Sequence, residues 1–234
     1  MADRSVLITG GTGGLGSAVT AAFAQTGWRV VLPTRGEAPE TADGPGTADG
    51  VVVVTGIDLT DEAAVADVTS IAAGDPDAPL GAVINLVGGY SGGTKVHELP
   101  VADFEQQLTV NLRPTFLVTR AALPHLIAAG GGSIVCVSSR AAERPFPGAS
   151  GYITSKAAVT AFAQAVAVEY RDANVRCNVV VPSVIDTPAN RSAMPDADHD
   201  TWVPPGLIAS AILFLAGPGS VATSGAIVPV YGRA

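Results

Sequence analysis

Short apolar runs alternate along the chain with longer segments in which apolar residues recur at helical spacing. The runs occupy residues 6–8, 29–32, 51–54, 82–86, 133–137, 175–181 and 226–230. Few polar side chains interrupt them, which is typical of parallel strands that are covered on both faces. The segments between them predict helices, the longest over residues 101–128 and 151–170.

This alternation predicts an α/β protein with one Rossmann-like domain over residues 1–234, a doubly wound parallel sheet of about seven strands flanked by helices. No internal repeat or domain linker interrupts the pattern. Residues 36–50 are rich in Gly, Pro, Asp, Ala and Thr and lack apolar periodicity, which predicts an exposed loop. A polar segment over residues 188–205 is a candidate substrate lid.

Pro114 lies inside the helix predicted at residues 101–128. Because proline has no N–H to donate to the carbonyl of Val110, we expect the helix to kink just after Asn111. The kink gives Asn111 a way to hold a water in the freed hydrogen-bonding space. A solvent-facing asparagine is the alternative.

Charge and composition exclude several classes of function. The formal net charge of −8 argues against a nucleic acid or an anionic membrane surface as partner. No apolar stretch approaches the ~18 residues that a membrane span needs. Cys136 and Cys177 lie within apolar runs and are predicted to be reduced core thiols. We expect a soluble cytoplasmic protein that acts on a small molecule, without a metal site.

A glycine-rich segment follows the first strand directly and precedes residues at helical spacing. In this order of elements, glycines let the backbone approach a pyrophosphate, whose charge rests on amides at the helix N-terminus. The predicted phosphate-binding residues are Gly10, Thr12, Gly13, Gly14, Leu15 and Gly16. A tight turn that merely requires small residues is the alternative.

The end of the second strand, Pro33-Thr34-Arg35, bears on the choice of cofactor. In dinucleotide-binding folds an acidic residue here binds the ribose 2′-hydroxyl of NAD, whereas an arginine accommodates the 2′-phosphate of NADP. The chain has no acid before Glu37. The sequence therefore favours NADP(H) over NAD(H), by roughly ten- to a hundredfold in Kd if Arg35 makes a charge-assisted hydrogen bond. A solvated loop charge is the alternative for Arg35.

Tyr152 and Lys156 are four residues apart on a predicted helix, so they share one face. A nearby cation favours the phenolate and lowers the pKa of a tyrosine, which suits it to proton transfer near neutral pH. Ser139 follows the fifth strand, at the edge of the sheet where ligands bind. Alone, a tyrosine and lysine at this spacing are ordinary helix residues.

The Thr-Gly-x-x-x-Gly-x-Gly motif at residues 9–16, together with Asn85, Asn111, Ser139, Tyr152 and Lys156, resembles the short-chain dehydrogenase/reductase family over essentially the whole chain. The resemblance implies that Tyr152 donates a proton to the substrate oxygen and that Ser139 polarises the carbonyl. It implies that Lys156 holds the nicotinamide ribose and lowers the tyrosine pKa. Asn111 would anchor a proton-relay water.

The same resemblance implies further residues in the cofactor and substrate sites. It implies that Asp58 contacts the adenine and that Thr187 lies near the nicotinamide carboxamide. The remaining cofactor contacts that it implies are Leu59, Asn85, Val87, Gly88, Pro182 and Val184. The expected substrate contacts are Gly89, Arg140 and Trp202, beside Ser139 and Tyr152. Residues 88–93, 141–150 and 189–202 should surround the substrate, because each follows the C-terminal end of a central strand.

Two departures from the family pattern alter the predicted pocket wall: Asn85-Leu86-Val87-Gly88 replaces Asn-Asn-Ala-Gly, and Pro182-Ser183 replaces Pro-Gly. Residues 186–198, followed by Trp202, are similar to quinonoid dihydropteridine reductases. As a family those enzymes use NADH and lack the serine and asparagine that this chain has.

The resulting prediction is an NADP(H)-dependent carbonyl reductase or alcohol dehydrogenase, with a pteridine reductase as the alternative. A non-catalytic NADP(H)-binding sensor or scaffold is the alternative from another class of function. The family resemblance also implies a homodimer or homotetramer formed through the two longest helices.

Overall fold

Within the part of the chain that the structure describes, seven parallel strands form one sheet, and helices cover both of its faces. The computed structural model describes residues 2–37 and 50–233, so most of the loop predicted at residues 36–50 lies outside the described residues. The strands are β1 (Ser5–Thr9), β2 (Arg29–Pro33), β3 (Val51–Val54), β4 (Leu80–Asn85), β5 (Gly132–Val137), β6 (Val175–Pro182) and β7 (Ile227–Val230). The helices are α1 (Gly14–Gln25), α2 (Glu62–Ala73), α3 (Val101–Asn111), α4 (Arg113–Ala128), α5 (Ser150–Glu169), α6 (Pro188–Ala193) and α7 (Pro205–Ala216). The predicted doubly wound sheet is confirmed.

The strand order is β3-β2-β1-β4-β5-β6-β7, and every neighbouring pair is parallel. The order reverses between β1 and β4, so the loops that leave these two strands diverge and open a crevice above their C-terminal ends. Thr9 and Asn85 pair at this edge. The topology therefore places the glycine-rich turn and residues 86–93 on either side of one crevice.

Both faces of the sheet are buried, which explains why the apolar runs are nearly unbroken. Side chains alternate between the faces along each strand. On β1, Leu7 belongs to the core shared with α2, α4 and α5, whereas Val6 and Ile8 belong to the core shared with α1 and α7. Helix α5, which carries Tyr152, therefore packs on one face of the sheet. Helix α1, which follows the predicted phosphate-binding turn, packs on the other face.

The predicted kink at Pro114 is confirmed as a break between two helices. α3 ends at Asn111, Leu112 joins the helices, and Pro114 lies in the first turn of α4, where its missing N–H costs no hydrogen bond. Asn111 is fully buried at this junction. The solvent-facing alternative for Asn111 is therefore wrong.

The polar segment at residues 188–205 contains the short helix α6, which the sequence pattern did not predict. The base of the segment is fixed by two backbone hydrogen bonds, from Asp186 to Val203 and from Val203 to Val184, both 2.9 Å. Its role as a lid stays a prediction. Within residues 2–37 and 50–233, no helix combines the length and the hydropathy that crossing a bilayer would take.

Candidate active site

The glycine-rich turn ends in a helix N-terminus without a side-chain cap. Gly10 has a positive φ of 68°, and its carbonyl accepts a hydrogen bond from the N–H of Gly13 (3.1 Å). Gly13 is the N-cap of α1, whose first turn contains no acidic residue. Thr12, Gly13 and Gly14 are exposed. The first amides of α1 and its positive dipole end are therefore available to an anion.

Leu15 and Gly16 face the interior below this turn. Leu15 packs against the core shared with α7. A Cβ atom on Gly16 would lie 2.0 Å from the carbonyl oxygen of Gly10, so any larger residue would push the turn away from α1. This close approach makes glycine a structural requirement at position 16.

Three strand ends meet at the glycine-rich turn. A Cβ atom on Gly10 would lie 3.2 Å from the backbone nitrogen of Val87, which follows β4. A Cβ atom on Gly14 would lie 2.8 Å from Cγ2 of Thr187, which follows β6. The structure thus brings four predicted cofactor residues to one place, although they are widely separated in sequence.

Arg35 and Asp58 form an exposed ion pair beyond the end of β2. The guanidinium donates to the Asp58 carboxylate at 2.8 Å, and the same oxygen accepts from the Thr60 N–H (2.9 Å) and hydroxyl (2.8 Å). The hydrogen bond from the Thr60 backbone, with that from Arg35, lowers the pKa of Asp58 to about 2. The Arg35 side chain is 70% exposed, so the ion pair is a weak restraint and the alternative of a solvated loop charge stays open. The Leu59 side chain is buried in the core, and the Thr34 backbone is hydrogen-bonded on both sides.

Tyr152 and Ser139 come together across the loop between β5 and α5. The Ser139 hydroxyl accepts the Ala141 N–H at 3.2 Å and lies close enough to the Tyr152 phenol to influence its pKa. Burial raises the pKa of Tyr152 above its ordinary value, and the polar Ser139 side chain only partly opposes this effect. The expectation that the tyrosine pKa is lowered is wrong here, because desolvation dominates. The phenol therefore carries its proton at neutral pH.

Lys156 is buried below residues 88–93, with 6% of its surface exposed. Its Nζ donates to the carbonyl of Val137 (3.1 Å), and a Cβ atom on Gly88 would lie 2.9 Å from that nitrogen. Burial lowers the pKa of Lys156 to about 8. The ammonium is bonded to the end of β5, and Lys156 is not among the groups that shift the pKa of Tyr152.

The Asn111 side chain binds the backbone of Gly89 from both sides. Its Oδ1 accepts from the Gly89 N–H and its Nδ2 donates to the Gly89 carbonyl, both at 3.0 Å. Nδ2 also donates to the carbonyl of Gln107 at 3.0 Å. A Cβ atom on Gly88 would lie only 2.6 Å from Oδ1. The glycines after β4 thus allow the close approach that the Asn111 amide requires, and the water-anchoring role of Asn111 stays a prediction.

Two aromatic residues that the sequence analysis did not select lie beside Tyr152. The Tyr90 ring meets the Tyr152 ring edge-to-face at 5.1 Å, and Phe146 lies 6.3 Å from Tyr90. The Gly93 N–H donates to the Gly148 carbonyl at 2.8 Å and joins residues 88–93 to residues 141–150. These two predicted substrate segments are therefore neighbours. Tyr90 could have been noticed as the one aromatic residue among the glycines after β4.

Other predicted site residues have structural partners elsewhere. Asn85 is buried, and its Nδ2 donates to the Thr119 hydroxyl at 3.2 Å, which ties β4 to α4. The Arg140 guanidinium lies over the ring of Tyr231, 5.1 Å from its centroid. Trp202 is buried beside His199 at the base of the 188–205 segment. Their described contacts therefore do not join Arg140 or Trp202 to Tyr152.

The remaining predicted cofactor positions lie at the end of β6. Pro182 is the last residue of this strand and is buried, whereas Val184 is exposed. Among the residues that the structure describes, no three His, Cys, Asp or Glu side chains cluster in a way that could hold a metal ion.

A family model described as short chain dehydrogenase matches residues 4–198. The chain belongs to the short-chain dehydrogenase/reductase family. It is 33% identical over 248 residues to 2-(R)-hydroxypropyl-CoM dehydrogenase of Xanthobacter autotrophicus, covering 98% of each chain. It is 32% identical over 243 residues to 2,5-dichloro-2,5-cyclohexadiene-1,4-diol dehydrogenase LinX of Sphingobium indicum, covering 99% of this chain and 96% of that relative.

A solved structure described as a short chain dehydrogenase/reductase family protein matches the same fold with a TM-score of 0.88 and 31% identity. The match covers 99% of this chain and 97% of that one. This short-chain dehydrogenase/reductase is therefore an oxidoreductase whose full length follows the family fold.

The first prediction concerns the Asn111 amide. We expect Asn111→Ala to leave the Gly89 backbone groups without partners and to make local opening of residues 88–93 about 1–3 kcal/mol easier. Hydrogen exchange of the Gly89 amide measures this change. Thr109→Ala, which removes a hydroxyl that bonds only within α3, is the matched control. Unchanged exchange at Gly89 in Asn111→Ala would contradict the proposed restraint.

Proposed function

We propose that this short-chain dehydrogenase/reductase interconverts a carbonyl and an alcohol with NADP(H), using Tyr152 as the group that gives and takes the proton. The observation that carries the proposal is the convergence of three side chains at the C-terminal end of β5: Tyr152 and Lys156 lie on α5, Lys156 Nζ binds the Val137 carbonyl at 3.1 Å, and Ser139 lies beside the Tyr152 phenol. The names of the two relatives, 2-(R)-hydroxypropyl-CoM dehydrogenase and 2,5-dichloro-2,5-cyclohexadiene-1,4-diol dehydrogenase, agree with this reaction type, because both enzymes are dehydrogenases of hydroxyl-bearing compounds.

The residues around the crevice fit a dinucleotide. The uncapped N-terminus of α1 offers amides to a pyrophosphate. Gly13 and Gly14 are exposed and have no side chain that would block the pyrophosphate. Thr187 lies against this turn, where its side chain can orient the nicotinamide end. When bound there, the nicotinamide supplies the hydride for reduction or accepts it in oxidation.

Around the reacting carbonyl, each side chain of the site has a distinct task. Ser139 donates its hydroxyl proton as a hydrogen bond to the substrate oxygen, and Tyr152 transfers its own proton to the same atom. Because the pKa of Tyr152 is raised, the protonated form that reduction needs prevails at neutral pH. Lys156 places a positive charge below Gly88 and can hold the ribose.

The preference for NADP(H) rests on Arg35. A permanently charged, forked guanidinium at the end of β2 suits a 2′-phosphate, and no carboxylate occupies position 34 or 35. The ion pair with Asp58 competes with the phosphate for Arg35. Both partners are exposed, so water screens their attraction and the competition is weak. The expected preference for NADPH therefore stays at roughly ten- to a hundredfold in Kd.

We also propose that the protein is a homo-oligomer whose subunits meet through α4 and α5. Phe116 on α4 is exposed and contacts Phe162 on α5 edge-to-face at 5.9 Å. Val168 is exposed near the end of the same helix. Exposed apolar side chains on adjacent helices are typical of a surface that another subunit covers.

Loss of NADPH absorbance with a panel of ketones, quinones, imines and a dihydropteridine tests the proposed reaction. With the best substrate of the panel, we expect Tyr152→Phe to lose at least roughly 10²-fold in kcat, because a positioned proton donor is gone. NADPH affinity should stay normal. Tyr170→Phe changes the tyrosine that directly follows α5. It is the matched control and should keep wild-type turnover. Near-normal turnover by Tyr152→Phe would refute its role.

Dissociation constants for NADPH and NADH test the choice of cofactor. We expect Arg35→Ala to weaken NADPH and leave NADH nearly unchanged, because only the 2′-phosphate contact is lost. Thr34→Asp should narrow or invert the preference. Arg120→Ala removes an exposed arginine that pairs with Glu62 on the neighbouring helix, and it should change neither constant. Equal or tighter binding of NADH by the wild type would show that the 2′-phosphate is not recognised.

The pH dependence of NADPH binding tests Lys156. Since its pKa is lowered to about 8, the ammonium loses its charge as the pH rises through that value. We expect NADPH affinity to fall by up to about tenfold between pH 7 and pH 9. The 2′-phosphate is already ionised over this range, since its second pKa is about 6. Lys156→Met should bind more weakly at pH 7 and show no such slope. A constant wild-type affinity would contradict this assignment.

A further inference from the structure

Two large aromatic rings lie exposed at the mouth of the crevice. Tyr90 is 61% exposed and Phe146 is 44% exposed. An apolar ring costs free energy in water, and neighbouring exposed rings are a common mark of a binding surface. Since these rings flank the proposed proton donor, the substrate is the occupant that their position suggests.

The rings share one space with the phenol of Tyr152. The Tyr90 ring stands at 84° to the Tyr152 ring, with its centroid 5.1 Å away. Phe146 extends the surface, 6.3 Å from Tyr90 and inclined at 41°. Tyr90 also lies close enough to contribute to the raised pKa of Tyr152. Tyr90 and Phe146 therefore form an aromatic wall that begins at the Tyr152 ring, where a molecule whose oxygen reaches Tyr152 can contact it.

The backbone around the aromatic wall is fixed on both sides. The Asn111 amide holds Gly89, directly before Tyr90. The Gly93–Gly148 hydrogen bond joins the Tyr90 segment to the Phe146 loop. A Cβ atom on Gly92 would lie 2.5 Å from the Tyr90 hydroxyl, so the ring packs directly over that glycine. A surface that is already ordered binds a ligand with a smaller entropic cost than a flexible one.

Charged groups near the aromatic wall are engaged elsewhere. The Arg140 guanidinium lies over the Tyr231 ring, and the Glu143 carboxylate accepts the hydrogen bond of the Tyr231 hydroxyl. Arg144 of the same loop is exposed and lies close enough to Tyr231 to act on its pKa. All three charges are thus grouped around Tyr231, which follows β7. The neighbours described beside Tyr152 are the Tyr90 ring and the Ser139 side chain, and neither carries a charge, which favours a neutral partner over a carboxylate or a phosphate.

We propose that the aromatic wall makes this enzyme selective for neutral ketones and secondary alcohols whose reacting carbon belongs to a ring. A ring lies flat against Tyr90 and Phe146 and keeps its oxygen directed to Tyr152 and Ser139. Each methylene group that packs against such a wall contributes roughly fourfold in affinity through burial of apolar surface. The inference rests on the proposed carbonyl chemistry and adds the substrate class to it.

Cyclohexanone and 2-hexanone test this selectivity, because they share a carbonyl and a carbon count and differ in the ring. With NADPH, we expect the wild type to favour cyclohexanone by at least about fivefold in kcat/KM. Tyr90→Leu and Phe146→Leu replace a flat ring face by a branched chain, and each should lower this ratio by roughly fourfold, the effect of one methylene group that no longer packs, mainly through KM for cyclohexanone. Tyr90→Phe should preserve the ratio. Both ketones are assayed with the same variant, so a general loss of catalytic rate cancels in the ratio of their kcat/KM values.

Val221→Ala is the matched control, since Val221 is an exposed apolar residue that lines a cleft beside the N-terminal ends of β4 and β5, at the opposite edge of the sheet. It should leave the ratio unchanged. Circular dichroism and NADPH affinity verify that each variant is folded and binds cofactor. A wild-type ratio near one, or a ratio that survives Tyr90→Leu and Phe146→Leu, overturns the inference and leaves the proposed function intact. Failure to reduce any compound of the carbonyl panel overturns both.

Discussion

The pair of hydrogen bonds between the Asn111 amide and the Gly89 backbone is the restraint on which the site depends. It exists because Pro114 ends α3 at Asn111 and because Gly88 allows the approach. The amide is fully buried, so breaking these bonds would leave polar groups without partners. Through them, α3 fixes the segment that covers Lys156 and positions Tyr90 against Tyr152.

Burial tunes both ionisable groups on the first turns of α5 towards their neutral forms. It raises the pKa of the Tyr152 phenol and lowers that of the Lys156 ammonium. The tyrosine therefore holds a transferable proton, and the lysine charge responds to pH near the physiological range. The nearby Ser139 side chain partly opposes the rise in the pKa of Tyr152. The protonation states of Tyr152 and Lys156 therefore depend on desolvation more than on attraction between the two side chains.

Much of this arrangement can be predicted from the sequence, because it depends on local rules. Unbroken apolar runs gave the strands, Pro114 gave the break after Asn111, and helical spacing placed Tyr152 and Lys156 on one face. Interactions across the fold could not be predicted in the same way. The Arg35–Asp58 pair depends on how the ends of β2 and β3 lie side by side.

The direction of the Tyr152 pKa shift also depends on the fold, since it follows from the depth of burial and not from the spacing of two residues. The most direct measurement of the proposed chemistry is transfer of deuterium to the best-reduced ketone from NADPH that carries deuterium at both positions of the nicotinamide C4. The product alcohol, analysed by mass spectrometry and NMR, should carry one deuterium on the carbinol carbon and a solvent proton on oxygen. Product without deuterium at that carbon, or no NADPH consumption with any carbonyl of the panel, would contradict hydride transfer at this site.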